Sequence, residues 1–361
     1  MAFALNLYPW IYLARFDGEK WSEQFIEQPH LSPEEESKLS AEQRNELMTK
    51  RNNIPLLPLV NYTTQYGLGC FEGLKALPQK DGSLKVFRPD QNAERMHRSM
   101  KGLMMPPFPQ ELFVNAVCEL TKKNAQVGFR PKYEQGWEQE NYRDGHAVYI
   151  RPFTYSEPAI GLGISKNPWV VIIETPVSSY FTFPNTKAVT THRFRATPGG
   201  TGWIKCNANY VSAILAKKEA ESQGYMEAIF LDAKTGNYIE EGSSCNIFFY
   251  LKNGKLVTPD LGDTILPGIT RASIIQLAKD KGLTVEERRI SIDEAMSESV
   301  EIFVTGTAAG VSPIESLTHK GKVHELPFGD KGEVARELGA LLKGIQYGAI
   351  ADRYGWLYPA S

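Results

Sequence analysis

The chain reads as an α+β protein in two domains, on three observations. Strand and helix signals alternate along its 361 residues. Turn pairs that close hairpins recur too often for a doubly wound parallel sheet. The length is about twice that of one domain of roughly 150 residues.

The first domain is assigned to residues 1–177 as a small α/β domain. Its opening, MAFALNLYPWIYLARFDGEK, is apolar but lacks a basic n-region and is interrupted by Pro9, Arg15 and Asp17, so it does not read as a signal peptide. Residues 27–53, EQPHLSPEEESKLSAEQRNELMTKRNN, are polar and poor in aromatics. In SPEEE, Ser32 is placed to cap a helix with Pro33 at its first position and acids in its first turn, so the segment reads as an exposed helical insertion. LKVFRP (84–89) reads as a strand and DQNAERMHRSMKGLMM as a helix with apolar residues at helical spacing. PQELFVNAVCELTKKN reads as a second helix, and AVYIRPFTYS (147–156) and NPWVVIIETPV (167–177) as strands of a packed sheet. SSYFTFPNTK, residues 178–187, mixes turn residues with aromatics and is assigned as the linker.

The second, larger domain is assigned to residues 188–361. NYVSAILAKKEAESQG is an amphipathic helix ending at Gly224, and MEAIFLD, AKTGN and YIEEGSSCNIFFYLKNGKLVTP give strands joined by hairpins, with Asn253-Gly254 as the clearest turn. RASIIQLAKDKG reads as a helix, LTVEERRI as a strand, and VEIFVTGT (300–307) as a strand ending in small residues.

Composition narrows the function. Hydrophobic residues make up 42% and charged residues 23%, as in ordinary soluble globular proteins. The net charge of −2, with Lys and Arg spread along the chain, leaves no electrostatic footprint for nucleic acid or an anionic membrane. No apolar run approaches the roughly 18 residues that span a bilayer. Cys70, Cys118, Cys206 and Cys245 form no CxxC pair and have no His at ligand spacing. Reduced thiols in a cytoplasmic protein without a metal site are the plain reading.

Several familiar sites are missing. GLGCFEG (67–73) and GLGISKN (161–167) lack the third glycine of a dinucleotide fingerprint, and neither a P-loop nor a GxSxG elbow occurs. What remains suits a phosphate and a nitrogen ring. LPGITRAS (266–273) runs from a Pro-Gly turn into a helix, whose N-terminal N–H groups and dipole favour an anion, although an ordinary turn has the same pattern. GTAAG (306–310) is a small-residue loop at a strand end. IEEGSSCNIF (239–248) places two carboxylates at a strand end; such a group facing a pyridinium nitrogen makes pyridoxal phosphate an electron sink. In TGWIKCNANYVSA (201–213), Lys205 precedes a helix. It is either a solvated charge or an amine held for Schiff-base chemistry.

Taken in order, YGLGCFEGLKA, FRPDQNAERMHRS, YIRP, the Lys205-to-Tyr210 stretch, EEGSSCNIF, LPGITRAS and TGTAAG make the chain resemble the branched-chain amino acid aminotransferases over roughly residues 55–350. The resemblance implies the two-domain fold-type IV architecture of pyridoxal-phosphate enzymes, shared with D-amino acid aminotransferases, and makes 188–361 the cofactor-binding domain. It implies pyridoxal 5'-phosphate as cofactor, reversible ping-pong transamination between L-leucine, L-isoleucine or L-valine and 2-oxoglutarate, and a homodimer.

By position, Lys205 matches the lysine that binds the cofactor covalently and moves the substrate Cα proton. Tyr210 matches the tyrosine near the cofactor's phenolic oxygen. Spacing to Asn246 makes Glu241, not Glu240, the carboxylate at the ring nitrogen. Arg95 matches the phosphate-binding arginine, and Ile269, Thr270 and Thr307 match positions that cup the phosphate. Tyr66, Phe71, Tyr149 and Tyr180 match an aromatic wall for an aliphatic side chain, and Arg151 the residue that accepts glutamate's second carboxylate. Ser244 and Ala308 match positions near the α-carboxylate, and Leu162 a loop that reaches the partner subunit's site.

The chain departs from this pattern in three places. Asn207-Ala208 stand where many relatives have Gly-Gly, Trp203 is a bulky residue two before the lysine, and Ala309 and Ser312 replace the redox cysteines of some animal members. The insertion at 27–53 has no counterpart. The competing readings are a D-amino acid aminotransferase or an aminodeoxychorismate lyase on the same fold, or a non-catalytic homologue. The aromatic wall with Arg151, and a length beyond that of the D-specific and lyase relatives, favour the branched-chain enzymes.

Overall fold

The structure is a computed structural model and describes residues 6–53, 57–140, 142, 145–178 and 185–360. The chain divides into two compact units. One comprises Met1–Ser179, Cys206–Ala208 and Ile345–Ser361; the other comprises Tyr180–Lys205 and Asn209–Gly344.

In the first unit the elements run β1 (Trp10–Phe16), β2 (Trp21–Glu27), α1 (Pro33–Ser37), α2 (Ala41–Arg51), α3 (Tyr62–Tyr66), β3 (Leu74–Pro78), β4 (Leu84–Phe87), α4 (Pro89–Gly102), α5 (Gln110–Gln126), β5 (Ala147–Tyr155) and β6 (Trp169–Val177). They build one seven-stranded sheet in the order C-terminal strand (Leu357–Pro359), β4, β3, β5, β6, β1, β2, with each neighbouring pair antiparallel. Helices α4 and α5 bury Ala93, Met96 and Met100, and Phe113, Ala116, Val117 and Leu120, the three-and-four spacing of an amphipathic helix. The interrupted apolar opening turns out to hold an inner strand, because Pro9 stops short of it and β1 starts at Trp10.

The insertion is helical and largely exposed. Ser32 and Ser40 each close a capping box, with Glu35 and Gln43 as partners. It is also pinned. Arg51 is fully buried, donates to the carbonyls of Leu7 at 2.8 Å and Pro29 at 3.0 Å, pairs with Glu36, and stands 5.3 Å from the Phe129 ring.

The second unit runs β7 (Lys187–Thr190), α6 (Asn209–Ser222), β8 (Glu227–Leu231), β9 (Ile239–Gly242), β10 (Asn246–Leu251), β11 (Lys255–Thr258), α7 (Ile269–Asp280), β12 (Thr284–Glu287), α8 (Ile292–Glu298), β13 (Ser299–Gly306), β14 (Gly310–Ile314), β15 (Ser316–His319), β16 (Lys322–Glu325) and α9 (Glu333–Gln346). Two five-stranded sheets, β12-β11-β10-β13-β14 and β16-β15-β7-β8-β9, share one core that includes Ile229, Leu231, Ile247, Phe249, Ile302, Val304 and Leu317. The Asn253-Gly254 turn closes β10 onto β11, with Gly254 at φ +80° and the Lys255 N–H donating to Asn253 Oδ1 at 3.1 Å. Three neighbouring pairs are parallel: β7 with β8, β7 with β15, and β11 with β12.

The units differ from the continuous halves 1–177 and 188–361 at two points. Residues 345–361 group with the first unit, because Leu357–Pro359 adds to the sheet edge at β4 and Trp356 packs edge-on against Phe87. Residues 206–208 do so as well: Cys206 bridges to Cys70, and the Asn207 N–H donates to the Gly69 carbonyl at 2.9 Å.

Candidate functional site

In the second unit the functional side chains come from the segment before α6, the end of β9, and the turn into α7. The Asn209 side chain organises the first of these. Its amide donates to the carbonyls of Thr201 at 2.7 Å and Ile204 at 3.1 Å, and its oxygen accepts from Thr201 Oγ1 at 2.6 Å. The chain is thereby folded back so that Lys205 Nζ lies 2.8 Å from Tyr210 Oη. Gly202 permits the fold, since a Cβ there would lie 2.5 Å from the Thr264 carbonyl oxygen. Lys205 is half-buried and paired with a phenol, which removes it from the class of solvated surface charges.

Neighbouring residues on a strand point to opposite faces, and this separates the two glutamates of β9. Glu240 accepts from Thr264 Oγ1 at 2.6 Å. Glu241 accepts the Leu266 N–H at 3.0 Å and an Asn246 amide hydrogen at 3.4 Å, and lies 2.7 Å from Arg195 Nη1. Burial pushes the Glu241 carboxyl up to about 7, while the Arg195 charge, the Leu266 N–H and the Lys205 charge pull the other way. Glu241 is therefore poised between its neutral and ionised forms.

Asn246 also donates to the Leu266 carbonyl at 3.0 Å. A Cβ at Gly268 would lie 2.0 Å from Asn246 Oδ1, so any other residue at the turn into α7 would displace the Asn246 side chain. No side chain caps that helix. Its first N–H groups, at Ile269 and Thr270, form a concentration of donors at the positive end of the helix dipole. Thr307 and Ala308 follow the end of β13, and Ser244 is exposed in the β9–β10 turn.

The first unit holds the other candidates in two groups. On β5, Arg151 Nη2 donates to Tyr149 Oη at 2.8 Å, and its guanidinium lies 4.7 Å from the Phe71 ring centroid and 5.1 Å from that of Tyr149. Gly73 leaves room for this tyrosine, since a Cβ there would lie 2.3 Å from Tyr149 Oη. On α4, Arg95 is buried and makes a two-pronged pair with Glu72, at 2.8 and 2.7 Å. Glu72 also accepts from Asn92 Nδ2 at 2.7 Å. Tyr66 ends α3 at 46% exposure, Leu162 is 96% exposed, and Tyr180 lies outside the described residues.

Arg195, Glu72 and Asn92 were not foreseen. Glu72 stood inside a quoted motif, but nothing in one sequence says that it meets a residue twenty-three positions on. Arg195 lies ten residues before Lys205 in a stretch whose only local signal is its Pro-Gly-Gly turn.

The second unit thus holds an amine hydrogen-bonded to a phenol, a buried carboxyl raised to about 7 and a helix N-terminus without a side-chain cap. Residues 69–317 match the family Amino-transferase class IV, and the chain belongs to it. It is 38% identical over 301 residues to Branched-chain-amino-acid transaminase 1 of Bacillus subtilis, covering 81% of each chain. It is 38% identical over 304 residues to the Branched-chain-amino-acid aminotransferase of Mycobacterium tuberculosis, covering 81% of this chain and 80% of that one. Among solved structures, the branched-chain amino acid aminotransferase from Thermobaculum terrenum in PLP-form matches with a TM-score of 0.74 and 26% identity over 98% of this chain and 99% of that one. The Thermoproteus uzoniensis branched-chain aminotransferase with norvaline gives 0.72 and 30% over 85% and 95%.

Proposed function

We propose that this chain is a branched-chain amino acid aminotransferase, exchanging the amino group between L-leucine, L-isoleucine or L-valine and 2-oxoglutarate with pyridoxal 5'-phosphate as cofactor. The observation that carries the reading is the Lys205–Tyr210 contact in the same unit as the buried Glu241 and the uncapped helix α7. These residues fit the cofactor group by group: an amine for its carbonyl carbon, a carboxylate for its ring nitrogen, backbone N–H donors for its phosphate.

When bound, pyridoxal phosphate supplies an electron sink for negative charge developing at the substrate Cα. Lys205 would hold the cofactor at its carbonyl carbon and, as a free amine, would take and return the Cα proton. Tyr210 would orient the amine. Glu241, drawn toward its ionised form by Arg195, would hold a proton on the ring nitrogen. Ile269, Thr270 and Thr307 take the phosphate, with Arg95 as its cationic partner and Glu72 fixing the guanidinium plane. Phe71, Tyr66, Tyr149 and Tyr180 take the aliphatic side chain, Arg151 takes glutamate's distal carboxylate, and Ser244 and Ala308 lie toward the α-carboxylate.

The assembly is a cytoplasmic homodimer in this reading. Ile160 and Leu162 are 80% and 96% exposed, as suits an apolar loop with Leu162 reaching a partner's site, and the four cysteines are in the thiol form, outside any disulfide among the described residues. No helix among the described residues is long and apolar enough to cross a membrane.

The test is a half-reaction. Holoenzyme mixed with L-leucine alone, without an oxo acid, releases 4-methyl-2-oxopentanoate in an amount matching the enzyme and loses the visible absorption of its cofactor. Reaction with D-alanine in place of L-leucine assigns the chain to its D-specific relatives instead.

A further inference from the structure

Four cysteines are spread through the sequence without a CxxC pair, yet the fold brings two of them together. Cys70 and Cys206 are direct antiparallel bridge partners, 136 positions apart in the chain. The Asn207 N–H bonds the Gly69 carbonyl at 2.9 Å, joining the residue after Cys206 to the residue before Cys70. That pattern marks the cysteines as a non-hydrogen-bonded pair, the class in which facing Cα atoms come within about 4.5 Å and side chains approach most closely. A disulfide requires Cα atoms roughly 4.4–6.8 Å apart with facing Cβ atoms, so this pairing meets its main geometric condition without backbone movement. Cys206 also acts electrostatically on the Cys70 thiol. Cys118 and Cys245 have no such partner among the bridges of the described residues.

The place of the pair gives it a consequence. Cys206 is peptide-bonded to Lys205, and Cys70 to Phe71, whose ring carries the Arg151 guanidinium. We propose that Cys70 and Cys206 are an oxidative modification site, closing to an intramolecular disulfide that clamps the backbone next to Lys205 and next to Phe71 and slows turnover. The slowing rests on the role given above to Lys205; the bond itself does not.

The oxidant is a small peroxide, because both thiols are buried, at 0% and 3% exposure, and a bulky disulfide has no approach. One sulfur, as thiolate, attacks a peroxide oxygen, giving a sulfenic acid and one water. The second sulfur then displaces the sulfenic oxygen as a second water. The protein loses two protons and two electrons, hydrogen peroxide becomes two waters, and a dithiol reverses the bond by exchange. Burial pushes the Cys70 thiol well above its ordinary range, so closure is slow and calls for sustained peroxide.

The experiment uses the holoenzyme. After incubation with hydrogen peroxide, the protein is denatured in excess maleimide, digested and mapped by mass spectrometry, in parallel with transaminase assays. The expected result is a Cys70 peptide joined to a Cys206 peptide, lighter than the separate thiols by two hydrogens, with Cys118 and Cys245 still alkylated. Turnover falls on the order of ten- to a hundredfold in proportion to the linked fraction and returns with dithiothreitol. Cys70→Ala and Cys206→Ala each keep their own starting rate under peroxide. Two cysteines that remain alkylated, or that gain oxygen instead of joining, overturn the proposal, as does a joined pair with unchanged turnover. Peptide mapping needs no activity, so an inactive protein counts against the transaminase reading while leaving the disulfide decidable.

Discussion

Arg195 Nη1 lies 2.7 Å from Glu241 Oε1, and both side chains are only 4% exposed. Burial alone drives this carboxyl toward its neutral form, and Arg195 is the largest influence drawing it back toward the charged one. In the proposed function the site needs the carboxylate, since a neutral acid cannot hold a proton on a ring nitrogen. Removing the guanidinium leaves burial less opposed and moves the Glu241 carboxyl above about 7. Arg195→Met is therefore expected to shift the acid limb of kcat/KM to higher pH. Turnover at neutral pH falls by about fivefold for the first displaced pH unit and approaches about tenfold for each further one, with partial recovery in alkali. A pH profile checks this. A uniform loss with an unmoved limb indicates that Arg195 serves only packing.

Lys205 and Tyr210 are separable by the size of their effects. Lys205→Ala removes the group proposed to move the Cα proton, and such proton transfer is worth about 10²–10⁴-fold. Tyr210→Phe removes one hydrogen bond at 2.8 Å to the amine. If that bond is charged, its loss costs about 1.5–3 kcal/mol, roughly ten- to a hundredfold. Single-turnover rates with L-leucine rank the variants, and added methylamine partially rescues Lys205→Ala and not Tyr210→Phe.

Much of this was legible because it is local. Lys205 and Tyr210 sit five residues apart, the Pro267-Gly268 turn feeds straight into α7, and spacing along one strand separates Glu241 from Glu240. The remainder depends on contacts between distant segments. Arg95 finds Glu72, Arg195 finds Glu241, and Cys70 finds Cys206 through pairing that no short window contains. The insertion shows the same limit: the Ser32 cap could be read, but the burial of Arg51 against Leu7 and Phe129 depends on where the helix lies. Residues 345–361 joined the first unit for the same reason, because edge pairing with β4 is not a property of the segment itself.

The Arg151 group predicts a split between substrates. Its guanidinium is held by the Tyr149 hydroxyl and by two aromatic faces, so it is presented as a cation against an otherwise apolar wall. Arg151→Met keeps the apolar bulk and deletes the charge. KM for L-glutamate is expected to rise on the order of tenfold or more, as for loss of a charged hydrogen bond, while that for L-leucine changes little. Gly73→Ala acts on the same tyrosine from behind, where a Cβ would lie 2.3 Å from its hydroxyl, and is expected to raise both KM values while cofactor content stays unchanged. Steady-state kinetics with the two amino acids distinguishes the outcomes.

A buried acid on β6, the strand paired with β5, sets a pH dependence of stability. Glu174 on β6 is 1% exposed and burial pushes it up to about 7, against hydrogen bonds from Thr121 and Asn124. The proton count favours its neutral form. Thr121 Oγ1 lies 2.9 Å from the Val117 carbonyl and 2.5 Å from Glu174 Oε1, and its single hydrogen can serve only one of them. With Glu174 protonated, the acid donates to Thr121, Thr121 donates to Val117, and Asn124 Nδ2 donates to Glu174 Oε2 at 2.9 Å, so every group is satisfied. A carboxyl raised in the folded state contributes stability that is full below its unfolded pKa and is lost as pH climbs through about 7. The loss is on the order of 3 kcal/mol. Glu174→Gln reproduces the neutral pattern at every pH, its amide donating to Thr121 and its oxygen accepting from Asn124. Urea melts at about pH 5 and about pH 8 are expected to show the two proteins close together in acid and the variant more stable in base. A variant that is less stable at both pH values means instead that the ionised carboxylate belongs to the fold.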